Sequence, residues 1–143
     1  MFGYIYSILL SMMAYITPSD RLSASVVYQH CVDQEIKFPE IVTAQAVAET
    51  GWFECKDCAL RDNNLFGFNT GGDYIRFSSW RKSVKYYKNW QTKYYKGQKN
   101  YYKFLACIRT GGNGGCMQYA EDMKKYEKLL KSIIRNHAHE WKK

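Results

Sequence analysis

The sequence lacks several signatures that would assign a function directly. It has no glycine-rich phosphate-binding loop, no internal repeat and no low-complexity run. No Ser-His-Asp or Cys-His arrangement can be read from it, and two of its three histidines, His137 and His139, lie near the C-terminus. These absences argue against P-loop nucleotide binding, repeat architectures and triad-type nucleophilic catalysis. We therefore predict a chain that works without a cofactor.

Negative charge is also scarce. The 13 Asp and Glu residues are outnumbered by 21 Lys and Arg residues, which gives a net charge of +8. Such a chain favours polyanions, a class that includes nucleic acids and the anionic polymers of a bacterial envelope. Lys and Tyr are interleaved in residues 92–102, which suits stacking and phosphate contacts, but no nucleic-acid-binding motif is present. We predict anionic cell-envelope polymers as partners, and no nucleic acid.

No apolar run reaches the length of a membrane span. Residues 2–16 are apolar and uncharged, but they are fewer than the roughly 20 residues that cross a bilayer as a helix. The segment fits the hydrophobic region of an export signal, or a piece of chain that docks on the domain, a membrane or another protein. We predict this apolar segment at 1–16, one domain at 17–134 and a frayed basic tail at 135–143.

The cysteines do not match the spacing of a zinc site. Cys55 and Cys58 form a C-x-x-C pair, but no second pair lies at comparable spacing. Cys107 and Cys116 flank a glycine-rich connector, so a disulfide between them would be easy to close in an exported protein. Because the count of five is odd, at least one cysteine is free or pairs outside the chain. We predict no metal site.

Proline is nearly absent, and both prolines stand at predicted helix starts. Pro18 follows Thr17, a suitable cap for a first helix that runs to about residue 32, and Pro39 opens a second helix that Gly51 ends. Further helices are expected near 80–90, 102–109 and 119–134. Alternating residues at 65–68 and 74–77, around a Gly-Gly turn, predict a small β-hairpin.

The second predicted helix carries a carboxylate with the character of a general acid. Gln45, Glu49 and Trp52 share one face, and Ala, Val and Ile cover most of the rest, so the helix should be buried nearly all round. Burial raises the pKa of a carboxyl group, as general acid catalysis near neutral pH requires. The alternative is that Glu49 is exposed at the helix end or pairs with Arg61.

The loop after this helix contains two neighbouring amides, Asn63 and Asn64. Each side chain can donate and accept hydrogen bonds, which suits sugar hydroxyl and N-acetyl groups. Both are equally suited to satisfying the backbone of a turn. The sequence leaves these two roles open.

Separated segments of the chain resemble one known family. The segments AQAVAETGWF at 44–53, NNLFGF at 63–68 and YAEDMKKY at 119–126 resemble the glucosaminidase domain of glycoside hydrolase family 73, as does FSSWRKSVKYY at 77–87. Its members are bacterial N-acetylglucosaminidases of autolysins, flagellar peptidoglycan hydrolases and phage lysins. The resemblance extends over 17–134. It implies an α+β, mostly α, lysozyme-like fold, in which a helical domain and a small β-hairpin lobe enclose a groove.

The resemblance also implies an activity and a set of site residues. The expected reaction is hydrolysis of the β-1,4 bond after N-acetylglucosamine in peptidoglycan. Glu49 matches the family's general acid, and Tyr119 matches the tyrosine that faces it across the groove. Asn63, Asn64 and Phe66 match the groove-lining turn, and we expect Gln45, Trp52 and Tyr74 to complete the substrate-binding surface.

The chain departs from the family pattern in one respect, which is the place of the second carboxylate. Many members carry it in a longer hairpin, whereas here only Asp73 is available, in a tight turn. If Asp73 does not reach the groove, either the substrate's own N-acetyl group assists or Tyr119 and Glu49 position a water.

Other functions of the same fold stay open from sequence. One is a muramidase or lytic transglycosylase, which also works with one Glu. Another is a non-catalytic glycan-binding or structural domain in a phage particle or secretion apparatus. We expect the protein to be exported to the cell envelope, the periplasm or the medium, or to be phage-associated.

Overall fold

The computed structural model describes residues 21–112 and 114–143, and within these the chain forms five α-helices. They are α1 (Ala24–Asp33), α2 (Pro39–Thr50), α3 (Trp80–Tyr94), α4 (Tyr101–Ala106) and α5 (Met123–Trp141), with a 3₁₀ helix at Ala59–Asp62 between α2 and α3. The apolar segment 2–16 and the helix start predicted at 17–20 lie outside the described residues. The prediction of a mostly helical domain is confirmed.

The central helix is α2, which packs against both α1 and α5. It begins at Pro39, whose missing N–H costs nothing in the first turn, and ends at Gly51, whose φ of 52° continues into a left-handed turn. Seven of its twelve residues are buried, including the polar Thr43, Gln45 and Thr50. The predicted burial of this helix on nearly all sides is therefore confirmed.

The strands predicted at 65–68 and 74–77 were wrong. Within the described part of the chain no strand forms, and the turn is closed by a single antiparallel bridge between Asn69 and Tyr74. The buried amide of Asn64 donates to the carbonyls of Phe68 (2.7 Å) and Ile75 (3.0 Å), and the Phe68 carbonyl also accepts the backbone N–H of Ile75 (2.9 Å). Asn64 thus ties the two arms together from inside the turn, and the predicted hairpin lobe is a compact loop.

The C-terminal end is helical where fraying was predicted. Helix α5 continues to Trp141, which is 4% exposed and packs its ring against Tyr28 at 6.5 Å between centroids. Ala138 is buried as well. These two apolar side chains anchor the last turns to α1, which the charge of the segment did not indicate.

The predicted disulfide between Cys107 and Cys116 is confirmed, whereas the one between Cys55 and Cys58 was not predicted. Cys107 and Cys116 are joined by a disulfide, and Cys55 and Cys58 form a second one. Cys31 is free and buried in the core.

None of the described helices is long and apolar enough to cross a membrane.

Candidate active site

Glu49 lies in the last turn of α2, immediately before a sharp change of direction. Gly51, Trp52 and Phe53 all have left-handed backbone conformations, with φ of 52°, 61° and 64°. The buried hydroxyl of Thr50 holds this turn, since it donates to the carbonyl of Ala46 (2.7 Å) and accepts from the N–H of Phe53 (3.0 Å). Non-glycine residues rarely adopt this conformation, and they concentrate at functional sites.

The Glu49 carboxyl group opens onto a cavity of about 240 Å³. One wall is the turn after the 3₁₀ helix, and the opposite wall comes from α3 and from the segment after α4. The lining residues are Glu49, Phe66, Gly67, Phe68, Asn69, Trp90, Ile108, Met117, Gln118 and Tyr119. Among these residues Glu49 is the one carboxylate, set in a wall that is otherwise aromatic, aliphatic and amide.

The two oxygens of Glu49 have different neighbours. Oε1 accepts a hydrogen bond from the Tyr126 hydroxyl at 3.1 Å. Oε2 lies against Gly67, where a Cβ atom would stand only 3.1 Å away. Burial raises the pKa of Glu49 above its ordinary value, and the hydrogen bond from Tyr126 opposes part of that rise. The carboxyl group thus has the raised pKa that a general acid needs.

Tyr119 lines the cavity, but its hydroxyl does not bond to the carboxylate. The hydroxyl donates to the carbonyl of Phe66 at 2.8 Å and so ties the two walls together. Its ring stacks on that of Tyr126, with centroids 5.8 Å apart and planes inclined by 16°. Burial is the main cause that raises the pKa of the Tyr119 hydroxyl, and Glu49 raises it further. Tyr119 therefore stays neutral beside Glu49.

The segment between α4 and α5 is fastened at three points. The Cys107–Cys116 disulfide closes it, and Ile108 and Met117 exchange two backbone hydrogen bonds of 2.8 and 2.9 Å. The N–H of Tyr119 then donates to the carbonyl of Leu105 at 2.8 Å. These links hold a mostly irregular segment in place as a wall of the cavity.

The structure brings Glu49, Phe66 and Tyr119 together at the cavity and leaves the other predicted site residues outside its lining. Asp73 is exposed in the turn at 70–73, and Tyr74 is 45% exposed at the bridge with Asn69. Trp52 is 43% exposed and meets the His137 ring edge-on at 4.5 Å. Asp73 therefore does not share the cavity with Glu49.

The two asparagines serve the backbone of the turn. Asn64 is fully buried, and its Oδ1 accepts from the N–H groups of Phe66 and Phe68 while its Nδ2 donates to two carbonyls. Asn63 donates to the carbonyl of Phe77 at 3.0 Å. Of the two roles left open by the sequence, the structure gives these amides the turn-stabilising one.

The structure does not show the alternative in which Glu49 forms an ion pair with Arg61. Arg61 is 3.6 Å from Asp62, which also binds Arg76 at 3.0 Å. Gln45 is fully buried beneath the site, one turn before Glu49 on α2, and accepts from the Tyr87 hydroxyl at 2.6 Å. It lies behind the carboxylate and outside the cavity.

Several residues that line the cavity or contact Glu49 were missed from sequence. Tyr126 was assigned to the core stripe of the last helix, although it belongs to the segment YAEDMKKY that carried the family resemblance. Gly67 stands in NNLFGF, where its φ of 69° and its contact with Glu49 explain a glycine. Met117 and Gln118 are placed by the disulfide-closed segment, and no local pattern marks them.

Comparison with known proteins gives one match. A family model named Glucosaminidase, with the description mannosyl-glycoprotein endo-β-N-acetylglucosaminidase, matches residues 27–139. The matched range contains the Glu49 turn, every residue that lines the cavity, and Tyr126. No curated protein and no solved structure matches the chain.

Proposed function

We propose that this chain, which belongs to the glucosaminidase family, is a glycoside hydrolase that cleaves the β-1,4 bond after N-acetylglucosamine in peptidoglycan. The observation that carries the proposal is the single half-buried carboxyl group of Glu49 in the wall of a cavity lined by aromatic and amide groups. Sugar rings stack on aromatic side chains, and their hydroxyl and N-acetyl groups bond to amides such as Asn69 and Gln118.

Glu49 acts as the general acid. Its raised pKa keeps a fraction of the carboxyl groups protonated where an ordinary glutamate would be fully ionised. The proton passes to the glycosidic oxygen as the bond between that oxygen and C1 of N-acetylglucosamine breaks. Glu49, now ionised, then takes a proton from the water that completes hydrolysis.

The group that attacks C1 comes from the substrate in this proposal. Asp73 lies outside the cavity lining, and Glu49 is the one carboxylate in it. The carbonyl oxygen of the N-acetyl group forms a bond to C1 as the leaving oxygen departs, which gives a cyclic oxazolinium intermediate that water opens. This substrate-assisted route, known in other glycosidases, needs a single carboxyl group and retains the anomeric configuration.

We infer the protein's compartment from its cysteines and its charge. Disulfides persist in oxidising surroundings outside the cytosol, and the chain has two. A net charge of +8 attracts it to anionic envelope polymers. We therefore place its site of action in the cell envelope or outside the cell.

The experiment that tests the function is product analysis on purified peptidoglycan. Glu49→Gln should lower the rate of wall hydrolysis by at least 100-fold, because general acid catalysis supplies about 10²–10⁴-fold. Glu54→Gln removes an exposed glutamate from the loop after the same helix and should leave the rate unchanged. Mass spectrometry of the fragments should show reducing-end N-acetylglucosamine, and walls stripped of N-acetyl groups should resist cleavage.

The same measurement separates the other functions of this fold. Reducing-end N-acetylmuramic acid would identify a muramidase, and an anhydro product a lytic transglycosylase. Binding to insoluble walls with no sugar released, by both the wild type and Glu49→Gln, would identify a non-catalytic glycan-binding domain. Inverted products would overturn the substrate-assisted step and require a second protein group.

A further inference from the structure

A row of buried hydrogen-bonding side chains crosses the core and ends at Gln45, one turn before Glu49 on α2. It consists of Gln91, Tyr101, Tyr87 and Gln45, which we call the donor row. Each of these side chains is at most 9% exposed. Groups this deeply buried lose their hydrogen bonds to water, so a complete set of internal partners is expected for them.

The donor row begins at a fixed point of the backbone. Gln91 accepts from the N–H of Lys37 at 2.8 Å and donates to its carbonyl at 2.9 Å, which sets the orientation of the Gln91 amide. The same amide nitrogen donates to the Tyr101 hydroxyl at 2.9 Å. The first member of the row therefore presents a donor to the second.

The remaining hydrogen bonds then have one direction. The Tyr87 hydroxyl donates its only proton to Gln45 Oε1 at 2.6 Å. In the 2.7 Å contact between the Tyr87 and Tyr101 hydroxyls, Tyr101 must consequently be the donor. Every proton from Gln91 to Gln45 thus points toward α2, and hydrogen bonds aligned in this way polarise and strengthen one another.

Gln45 is where the row meets the site. Its Nε2 is fully buried and has no hydrogen-bond acceptor among the described residues. Gln45 and Glu49 lie one turn apart on α2, and Tyr126 is bonded to Glu49, so the row ends next to this pair. Burial and Glu49 raise the pKa of Tyr126, and Gln45 opposes part of that rise. A buried amide nitrogen without an acceptor costs stability.

Tyr126 determines which oxygen of the Glu49 carboxyl group accepts a hydrogen bond. Its hydroxyl donates to Glu49 Oε1, so the acid proton of a neutral Glu49 belongs on Oε2, the oxygen beside Gly67. The stacked ring of Tyr119, the second titratable group that faces Glu49, fixes the Tyr126 ring. No basic residue lies in the last turn of α2, so Tyr126 is the group that supports the ionised form.

We propose that Tyr126, oriented by Gln45 and the donor row behind it, is a positioning residue that holds Glu49 with Oε1 as acceptor and the transferable proton on Oε2. Its role in catalysis rests on the proposed function, whereas the hydrogen bonding itself does not. The donor row also opposes the effect of burial, so that Glu49 can lose its proton to the substrate and later accept one from water.

The direct test is a titration of Glu49 that needs no activity. Protein labelled with ¹³C at the glutamate carboxyl carbons is titrated by NMR, and the Glu49 signal is assigned as the one missing in Glu49→Gln. Tyr126→Phe removes a donor to the ionised form, so Glu49 should titrate at higher pH than in the wild type. Gln45→Met and Tyr87→Phe should move it in the same direction by successively smaller amounts.

A matched control separates this effect from loss of any hydroxyl group. Tyr95→Phe removes a hydroxyl that donates only to the carbonyl of Gln98, outside the donor row, and should leave the Glu49 titration unchanged. Far-UV circular dichroism establishes that each variant is folded. If Gln45→Met does not fold, Tyr87→Phe still tests the row from further back.

The kinetic readout is the pH profile of wall hydrolysis. A general acid is active when protonated, so in Tyr126→Phe the alkaline limb of kcat/KM should move to higher pH together with the NMR titration. The maximum rate should fall by about 10- to 100-fold, because the proton is no longer held on Oε2. If Tyr126 had a merely structural role, Tyr126→Phe would lower the rate without moving the alkaline limb of the pH profile.

The outcomes are distinct. If Glu49 titrates at the same pH as in the wild type in both Tyr126→Phe and Gln45→Met, the positioning role of Tyr126 is overturned. Shifted titrations in a protein that releases no sugar from walls would support the donor row and contradict the proposed hydrolase function instead.

Discussion

At the scale of single residues, position 67 favours glycine because its backbone lies close to the Glu49 carboxyl group. A side chain at position 67 would face two penalties at once. Its φ of 69° is strained for any L residue, and its Cβ would stand 3.1 Å from Glu49 Oε2. The first penalty affects stability and the second affects the carboxyl group, so the two can be measured separately.

We expect Gly67→Ala to lower the free energy of unfolding by about 1–2 kcal/mol and kcat/KM by about 100-fold. The loss of stability reflects the left-handed backbone, and the larger kinetic loss reflects displacement of the acid. Urea unfolding and wall-hydrolysis kinetics measure the two effects.

Gly71→Ala is the matched control for this substitution. Its φ of 84° imposes the same kind of backbone strain, but nothing lies within 4 Å of the added Cβ. It should lose stability and keep its activity. Equal activity of the two variants would show that the contact with Glu49 has no catalytic consequence.

Among the larger elements, the segment between α4 and α5 depends most on a covalent link. It is mostly irregular, yet it supplies Ile108, Met117, Gln118 and Tyr119 to the cavity. The Cys107–Cys116 disulfide limits the conformations that this segment can adopt in the unfolded chain and in locally opened states. Its contribution should therefore appear in both stability and substrate binding.

Replacing both Cys107 and Cys116 by Ser should lower the free energy of unfolding by about 2–3 kcal/mol, as expected for so short a loop. The same variant should raise KM for wall fragments more than it lowers kcat, because one wall of the cavity loosens while Glu49 stays in place. Denaturant unfolding and steady-state kinetics on soluble fragments measure these effects.

The second disulfide provides the comparison. Cys55 and Cys58 lie in the loop after α2, outside the cavity lining. Their double Ser variant should be less destabilised, since the loop it opens is shorter, and its KM should match the wild type. A KM that rises equally in both double variants would mean that the 107–116 link has no special role in the site.

At the scale of the whole molecule, one long interval of the chain carries positive charge and no negative charge. No Asp or Glu occurs between Asp73 and Glu121. That interval contains Arg76, Arg81, Lys82, Lys85, Lys88, Lys93, Lys96, Lys99, Lys103 and Arg109. It also supplies Trp90, Ile108, Met117, Gln118 and Tyr119 to the cavity, so residues of this basic interval form part of the cavity lining.

This asymmetry predicts that salt slows the attack on anionic walls. Raising the salt concentration from about 0.05 M to 0.5 M shortens the screening length to a few ångströms and should lower the lysis rate about 10-fold. Hydrolysis of an uncharged N-acetylglucosamine oligomer is the control and should change little. An equal salt response of both substrates would indicate an effect on the protein and not on its encounter with the wall.

Family membership and the central role of α2 were available from sequence because both rest on local patterns. The apolar residues around α2, the proline at its start and the glycine at its end predicted a buried helix ending beside Glu49, and the structure agrees. The segments around Glu49, Phe66 and Tyr119 carried the resemblance that the family match confirms. These features are contained in short stretches of chain.

The tertiary structure decided which side chains meet Glu49. Tyr126 lies 77 positions away in sequence, and its bond to Oε1 exists only because α5 packs against α2. Asn64 binds the carbonyls of Phe68 and Ile75 from inside the turn, and Asp73 is exposed in that turn. The sequence by itself predicted Glu49 as the candidate acid and determined the helix that buries it. Its partners depend on long-range packing, which local periodicity does not encode.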